Sequence, residues 1–300
     1  MIKKITFTFL FGLFVLAKVE AQDINTLKQA INEVIDGKSA TVGVAIWGNK
    51  PEDKISVNGS KHLPMQSVYK FHLALAVLHQ VDQGKLSLDQ EISIDKSFME
   101  TYQHLWSPLR KKFPDGVEIS LAEVVRYTVA WSDNVGCDVL FELVGGTEVV
   151  HDYIHSLGVK DIAIKYPEIV MQDKWHIQYE NWTTVDAANQ LLQIFHENKG
   201  NTWSDESHQF LLQILKDTQT GKKRIRGFLP ASTVVAHKTG YSGKNEEGLS
   251  GAVNNIGIVF LPDGTYFYIS VFVSDSMETD DTNQEIIARI AKLAWDYFND

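Results

Sequence analysis

Residues 65–79 read MQSVYKFHLALAVLH and place a serine and a lysine three positions apart at the start of an almost wholly apolar run. Such a run predicts a buried helix over 67–83. Residues three apart lie on the same side of a helix, so the amine of Lys70 can reach the hydroxyl of Ser67. Burial beside the run disfavours a charged ammonium, and a neutral amine can accept the hydroxyl proton. The stretch therefore predicts a lysine that activates a serine nucleophile.

This Ser-x-x-Lys spacing is weak evidence on its own, because it occurs twice. Ser93 and Lys96 repeat it between polar residues, in a predicted loop with no apolar helix behind it. For Ser67 and Lys70 the alternative is a helix cap beside a lysine whose charged end reaches solvent. Further motifs are needed to choose between these interpretations.

Predicted strands occupy both ends of the sequence, and predicted helices occupy the middle. Turn signals bound predicted strands at 41–47, 54–57, 232–236, 251–260 and 265–273. Apolar residues at helical spacing predict helices at 23–37, 67–83, 120–132, 135–143, 147–157, 184–196 and 282–298. The predicted fold class is α/β (α+β), with a mainly antiparallel sheet flanked by terminal helices, from residues 22–62 and 217–300, and an inserted all-helical lobe, residues 63–216. A site is expected in the cleft between the lobes.

The N-terminus has the pattern of a secretory signal peptide. Lys3 and Lys4 precede an apolar run over 5–17, and Val19 and Ala21 stand at the two positions that a signal peptidase recognises. The run is shorter than the roughly 20 residues needed to cross a bilayer. We therefore expect residues 1–21 to be removed and residues 22–300 to form a single periplasmic domain without stable membrane association.

The composition argues against several kinds of partner and cofactor. The chain is 44% hydrophobic and 22% charged, as in globular proteins, and its formal net charge of −10 argues against nucleic acid as a partner. Cys137 is the single cysteine, so no internal disulfide can form. His151 and His155 have the spacing of two metal ligands on a helix, but no third ligand is evident, so neither a metal nor another cofactor is expected. A monomer is the default expectation.

Two further triplets indicate what the serine and the lysine do. Ser-Asp-Asn at 132–134 follows a predicted helix, and Lys-Thr-Gly at 238–240 closes a β-rich run. Together with Ser67 and Lys70, in this order, they form the motif set of class A β-lactamases and penicillin-binding proteins. The sequence resembles a class A serine β-lactamase over essentially all of the chain after residue 21, and the resemblance implies the same fold as the predicted elements.

The resemblance implies a two-step reaction through an acyl-enzyme. Ser67 would be the acylated nucleophile, with Lys70 as its basic partner, and Ser132 would pass a proton to the leaving ring nitrogen. Glu168, in the segment YPEIVMQ at 166–172, stands where class A enzymes carry the base that activates water for deacylation. Whether Lys70 or Glu168 drives acylation is left open.

The resemblance also implies residues that bind the substrate. Asn134 would contact the side-chain amide of the substrate, and Lys238 with Thr239 would bind its carboxylate. The backbone N–H of Tyr241 would join that of Ser67 in the oxyanion hole. Arg224 matches an arginine that assists carboxylate binding in some members of the family.

Several positions allow two interpretations or depart from the usual pattern. Trp106 is expected either to stack on substrates or to lie in the core, and Arg226 fits a structural role. Gln172 replaces the asparagine that commonly helps to hold the water, Tyr166 replaces an arginine, and Asp138 replaces the asparagine that ties this loop to the helical lobe. These changes resemble a divergent branch of class A that includes extended-spectrum cephalosporinases.

The expected function is therefore hydrolysis of the β-lactam ring of antibiotics, which confers resistance. Tyr241 is bulkier than the small residue usual after Lys-Thr-Gly, and the connection that follows it is longer than the common form. Both features favour turnover of cephalosporins over penicillins. The alternatives are a D,D-peptidase, or penicillin-binding protein, and a sensor module that binds β-lactams without turnover.

Overall fold

The central sheet joins strands from the two ends of the chain, in a computed structural model that describes residues 23–299. Its strands are all antiparallel, in the order β2-β1-β10-β9-β8. They span Thr41–Trp47 (β1), Lys54–Val57 (β2), Val235–Tyr241 (β8), Ser250–Phe260 (β9) and Tyr266–Ser276 (β10). The two ends of the chain meet where β1 pairs with β10, with Ala45 opposite Ser270. The predicted closure of both ends into one antiparallel sheet is confirmed.

The two terminal helices cover one face of this sheet, as predicted. They are α1 (Ile24–Ile35) and α11 (Asp280–Asn299). Alternate residues of β1 and β10, such as Val44, Ile46 and Ile269, share one apolar cluster with these helices. This follows from the two-residue period of a strand, which sends successive side chains to opposite faces. The predicted signal peptide, residues 1–21, lies outside the described residues.

The other face of the sheet packs against the helical middle of the chain, centred on α2 (Tyr69–Asp82). Every residue of α2 from Tyr69 to Leu78 is buried. The remaining helices are α3 (Lys96–Thr101), α4 (Pro108–Lys112), α5 (Leu121–Ala130), α6 (Asn134–Val144), α7 (Thr147–Ser156), α8 (Glu168–Met171), α9 (Val185–Glu197) and α10 (Asp205–Lys216). A helix apolar on all sides must be enclosed by others, and α2 is the core of this group.

Some predicted boundaries were wrong. The α-helix predicted from residue 67 begins at Tyr69, because Gln66–Val68 form a 3-10 turn before it. Strand β8 runs to Tyr241 and so includes the whole Lys-Thr-Gly motif, beyond the predicted end at 236. Helix α10 was not predicted, although Ser204 caps it by accepting from Ser207 N.

Short strands in the middle of the chain were also missed. They are β3 (Leu63–Pro64), β4 (Glu91–Asp95), β5 (Gly116–Ser120), β6 (Ile162–Ala163) and β7 (Trp182–Thr183). The loop predicted for the second Ser-x-x-Lys copy is wrong, because Ser93 lies in β4 and Lys96 begins α3. Lys96 pairs with Asp115 on the surface, at 3.0 Å.

A fully buried histidine in α2 should make the fold sensitive to acid. Burial lowers the pKa of His72 from 6.5 to about 4. His72 is protonated near pH 6.5 in the unfolded chain but only near pH 4 in the folded chain. The free energy of unfolding therefore decreases as the pH falls through this window, by about 1.4 kcal/mol per pH unit. We expect the parent to lose about 2 kcal/mol more than His72→Leu between pH 7 and pH 5, in urea unfolding. Between pH 7.5 and 9 the difference in the free energy of unfolding between the two proteins should be constant. If this difference also stays constant down to pH 5, the expectation is wrong.

Candidate active site

The serine and the lysine of the first motif lie side by side at the start of α2. Ser67 is the middle residue of the 3-10 turn, and Lys70 is the second residue of the helix. Lys70 Nζ donates a hydrogen bond to Ser67 Oγ at 2.8 Å. Ser67 is half-buried and Lys70 is fully buried. The alternative of a lysine that reaches solvent is therefore wrong.

Oxygen atoms from separate segments surround the ammonium group of Lys70. It forms an ion pair with Glu168 Oε1 at 2.9 Å, and it donates to the carbonyl oxygen of Ser132 at 3.2 Å and to Asn134 Oδ1. Glu168 Oε1 also lies 3.3 Å from Ser67 Oγ. The serine hydroxyl thus contacts a carboxylate, which can accept its proton, and a lysine, which can accept it in the neutral form.

The Ser-Asp-Asn motif forms the turn between α5 and α6. Ser132 has a φ of 58°, in the left-handed region that few side-chain-bearing residues adopt. Asp133 holds the turn, because its carboxylate accepts from Gly136 N at 2.9 Å and from Leu109 N at 2.7 Å. In this conformation Ser132 Oγ accepts a hydrogen bond from Lys238 Nζ at 2.9 Å.

Lys238 is a second fully buried lysine in the site. Its Nζ also donates to the carbonyl oxygen of Thr239 at 2.9 Å. Burial lowers the pKa of Lys238 well below its usual range, and the positive charge of Lys70 lowers it further. The side-chain nitrogens of Lys70 and Lys238 therefore lie on either side of the Ser132 turn.

Strand β8 reaches the nucleophile only because Gly240 has no side chain. A Cβ at Gly240 would lie 2.4 Å from the carbonyl oxygen of Met65, just before the 3-10 turn. Thr239, the preceding residue, shares a hydrogen bond with Thr220, with 2.6 Å between their Oγ1 atoms. The Lys-Thr-Gly motif therefore packs directly against the turn that carries Ser67.

A short helix, α8, places Glu168 beside the nucleophile, and Asp138 of α6 holds its first turn. Asp138 Oδ1 accepts from Glu168 N at 2.7 Å, and Oδ2 accepts from Ile169 N at 2.9 Å and from the Tyr102 hydroxyl at 2.9 Å. Burial and the nearby Glu168 carboxylate raise the pKa of Asp138 to about 7. The loop therefore stays tied to the helical lobe despite the replacement of the usual asparagine.

Gln172, at the end of α8, faces the catalytic candidates. Its Nε2 donates to Glu168 Oε2 at 3.2 Å and to Gln66 Oε1 at 3.1 Å. Since one oxygen of Glu168 contacts Lys70 and the other contacts Gln172, the carboxylate is held on both sides.

The predicted residues converge on one cleft of about 240 Å³. Ser67, Trp106, Ser132, Asn134, Glu168, Gln172, Arg224, Thr239 and Tyr241 line it. Lys70 and Lys238 contact these residues from behind, fully buried. Thr220 also lines the cleft and was not predicted, because a lone threonine in a loop carries no sequence signal.

The two arginines near β8 have different surroundings. Arg224 lies in the wall of the cleft, where its Nη1 donates to the carbonyl oxygens of Gly240 at 2.9 Å and Asn254 at 2.8 Å. Its Nε has no hydrogen-bond partner among residues 23–299, and burial lowers the pKa of Arg224 to about 10. Arg226 instead donates to the carbonyl oxygens of Lys216, Thr218 and Val235, outside the cleft.

Two aromatic residues stand at the mouth of the cleft. Trp106 is 51% exposed, so the alternative of a core tryptophan is wrong. Its Nε1 donates to the carbonyl oxygen of Trp131 at 3.0 Å, and Lys111 Nζ lies 4.4 Å from its ring centre. Asp280 fixes the Tyr241 side chain, because the Tyr241 hydroxyl donates a hydrogen bond to Asp280 Oδ2 at 2.7 Å.

The histidine pair on α7 lies away from this cleft. The ring centres of His151 and His155 are 4.0 Å apart. Within residues 23–299, no cluster of three histidine, cysteine, aspartate or glutamate residues is arranged to hold a metal ion. In the same part of the chain, no helix combines the length and the apolar surface needed to cross a membrane.

Comparison with known proteins agrees with this geometry. Residues 26–298 match the model of the Beta-lactamase2 family, described as a beta-lactamase enzyme family. The chain is 41% identical to the beta-lactamase VEB-1 of Pseudomonas aeruginosa, over 99% of this chain and 98% of the relative. It is 43% identical to the extended-spectrum beta-lactamase PER-1 of the same organism, over 90% and 87% of the two chains.

Solved structures give the same result. The crystal structure of the TLA-1 extended-spectrum beta-lactamase superimposes with a TM-score of 0.89 at 48% identity, over 93% of this chain and all of the other. A class A beta-lactamase from Bacteroides cellulosilyticus has a TM-score of 0.86 at 40% identity, over 92% and 98%. The chain therefore belongs to the beta-lactamase enzyme family, as a class A β-lactamase of the extended-spectrum branch.

Proposed function

We propose that this β-lactamase opens the β-lactam ring through an acyl-enzyme on Ser67 and releases the product with water activated by Glu168. One observation carries the proposal: Ser67 Oγ lies 2.8 Å from Lys70 Nζ and 3.3 Å from Glu168 Oε1. A nucleophile between two proton-accepting groups can be activated for attack, and one of the two can then serve the water.

In acylation, Ser67 Oγ attacks the ring carbonyl carbon while its proton passes to Glu168, or to Lys70 after Lys70 has given a proton to Glu168 and become neutral. The carbonyl oxygen becomes an oxyanion, which the backbone N–H groups of Ser67 and Tyr241 would stabilise. Collapse of this intermediate breaks the bond to the ring nitrogen, which takes a proton from Ser132 Oγ while Ser132 takes up the proton that Lys70 or Glu168 had accepted. The hydrogen bond of 2.9 Å from Lys238 to Ser132 supports this route, because it connects the departing nitrogen to a cation.

In deacylation, Glu168 takes a proton from water, and the resulting hydroxide attacks the ester carbon. The ester bond to Ser67 Oγ breaks, and Ser67 Oγ receives the proton that Glu168 had taken from the water. Gln172 and Lys70 hold the two oxygens of Glu168 toward the cleft. A D,D-peptidase or a non-turnover sensor would not need a buried carboxylate at this point to activate water. Neither alternative is therefore favoured.

Substrate binding is assigned to the positive wall of the cleft. Lys238, Thr239 and Arg224 would bind the carboxylate of the substrate, since Thr239 and Arg224 line this wall and Lys238 lies directly behind it. Asn134 would contact the side-chain amide, and Trp106 would stack on substituents at the mouth.

The organisation and location of the enzyme are proposed from the same features. Residues 22–300 would form one catalytic domain, with the sheet lobe at 22–62 and 217–300 and the helical lobe at 63–216. The signal pattern at 1–21 supports export to the periplasm, where a β-lactamase would meet its substrates. We propose that the enzyme acts as a monomer.

The role of Glu168 can be tested by removing its carboxylate. The Glu168→Ala variant should keep Ser67 and still acylate, because Lys70 remains as a base, but its kcat for nitrocefin should fall by about 10²–10⁴-fold. Intact mass spectrometry should then show a covalent adduct that accumulates on the variant and not on the parent. A stoichiometric burst from both proteins would show that Glu168 is not the deacylation base.

Arg224 and Arg226 form a matched pair for testing carboxylate binding. A charge-assisted hydrogen bond contributes about 1.5–3 kcal/mol, so Arg224→Gln should lower kcat/KM at least about tenfold, mainly through KM. Arg226→Gln breaks three bonds to carbonyls outside the cleft and should lower stability while kcat/KM per active enzyme is retained. Equal kinetic losses in the two variants would contradict this assignment.

The shape of the cleft edge supports a preference for cephalosporins. Tyr241 lines the cleft and the connection 242–249 follows it directly, and two relatives are described as extended-spectrum enzymes. We expect kcat/KM for cephalothin to exceed that for benzylpenicillin. A ratio in favour of benzylpenicillin would disprove the preference without affecting the assignment of the catalytic residues.

A further inference from the structure

Three glutamine side chains form a continuous run of hydrogen bonds that ends at Glu168, here called the glutamine chain (Gln178, Gln66 and Gln172). Gln178 Nε2 donates to the carbonyl oxygen of Trp175 at 2.8 Å, and Gln66 Nε2 donates to Gln178 Oε1 at 2.8 Å. Gln172 Nε2 donates both to Gln66 Oε1 at 3.1 Å and to Glu168 Oε2 at 3.2 Å. The glutamine chain links the 3-10 turn that carries Ser67 to the loop that carries Glu168.

The direction of every bond in the glutamine chain follows from its two ends. An ionised Glu168 can only accept, so Gln172 must turn its NH2 group toward it. The same NH2 group donates to the Gln66 oxygen, which leaves the Gln66 NH2 group to face Gln178. Gln66 and Gln178 are each 2% exposed, so water cannot easily replace a lost partner. A reversed amide would bring two like groups together, and only one arrangement satisfies them all.

The backbone at Gln66 adopts a strained conformation, and its side chain lies in the middle of the glutamine chain. Gln66 has a φ of 47°, immediately before Ser67. A residue with a side chain adopts this region at a cost of about 1–3 kcal/mol and keeps it only where its surroundings hold it there. Here the hydrogen bonds at both ends of its amide hold it.

Strand β9 supports the far end of the glutamine chain. A Cβ at Gly251 would lie 2.5 Å from Gln178 Oε1. Gly251 has an ordinary φ, so alanine is permitted by the backbone and excluded only by the side chain of Gln178. Position 251 therefore gives access to the glutamine chain from outside the residues that line the cleft.

We propose that Gln66 is a positioning residue for deacylation. Gln66 sets the position of the Glu168 carboxylate through Gln172, and Gln178 holds Gln66 in place. This inference rests on the proposed role of Glu168 as the deacylation base. Lys70 contacts Ser67 at 2.8 Å without involving the glutamine chain, so acylation with Lys70 as the base does not depend on the chain. Breaking the chain should therefore slow one step and spare the other.

The experiment uses three variants that break the glutamine chain at different points. Gln66→Gly removes the amide and accepts the positive φ without strain, Gln178→Met removes the distant partner, and Gly251→Ala displaces that partner. Rapid-quench kinetics with nitrocefin should show a deacylation rate constant at least about tenfold lower and an acylation rate constant within about threefold of the parent. Consequently kcat and KM should fall together, and the acyl-enzyme should accumulate in intact mass spectra.

The controls separate positioning from folding. Gln29→Met removes an exposed amide that bonds only to Glu33, and it should leave both steps unchanged. If the glutamine chain acts as a unit, Gln66→Gly with Gln178→Met should deacylate no more slowly than Gln66→Gly alone. Rate losses that multiply in the double variant, or equal losses in acylation and deacylation, would overturn the proposal in favour of a general structural role.

The same data distinguish failure of this proposal from failure of the proposed function. If Glu168→Ala accumulates an acyl-enzyme and the glutamine variants deacylate like the parent, Glu168 is the base and the positioning role of Gln66 is wrong. If Glu168→Ala does not accumulate an acyl-enzyme, the assignment of the base itself is wrong.

Discussion

A fully buried ammonium group must find oxygen partners, and the need to supply them to Lys70 organises the site. The partners come from the 3-10 turn at Ser67, the turn between α5 and α6, and the α8 loop. Removal of one partner from a buried ion pair costs about 3–5 kcal/mol, because the remaining charge is left uncompensated. Segments distant in sequence are thus brought to one point, and that point is the reactive serine.

The charges in the cleft differ from those of the whole chain. The chain carries a formal net charge of −10, yet Lys70, Lys238 and Arg224 surround the cleft with Glu168 as the carboxylate among them. A positive, partly desolvated cleft in an acidic protein attracts a small anion more than it attracts a polyanion. A β-lactam, with its single carboxylate, matches this distribution.

The catalytic residues could be predicted from sequence because each belongs to a short motif on an element whose period is readable. Helical spacing predicted the contact of Ser67 with Lys70, and the Ser-Asp-Asn and Lys-Thr-Gly motifs distinguished this pair from the second copy of the spacing. The 3-10 turn kept the pair together although α2 starts later than predicted. Gln66 and Gln178 could not be predicted, because a positive φ at glutamine and a hydrogen bond between residues 112 positions apart leave no local pattern. Helix α10 could have been predicted, since Ser204 and the apolar residues after it are the usual signals. The exposure of Trp106 depends on how α4 and α5 pack, which only the tertiary structure decides.

The contact between Gly240 and Met65 also limits how this enzyme can evolve under antibiotic selection. A Cβ at Gly240 would lie 2.4 Å from the Met65 carbonyl oxygen, so the last position of the Lys-Thr-Gly motif admits no larger residue and adaptation to new drugs cannot proceed by substitution there. The adjoining connection is different, because Lys244, Glu246 and Glu247 are exposed and free of such constraints. Mutations that widen the substrate range should therefore arise in the exposed connection, while the strand beside it remains unchanged from one resistant lineage to the next.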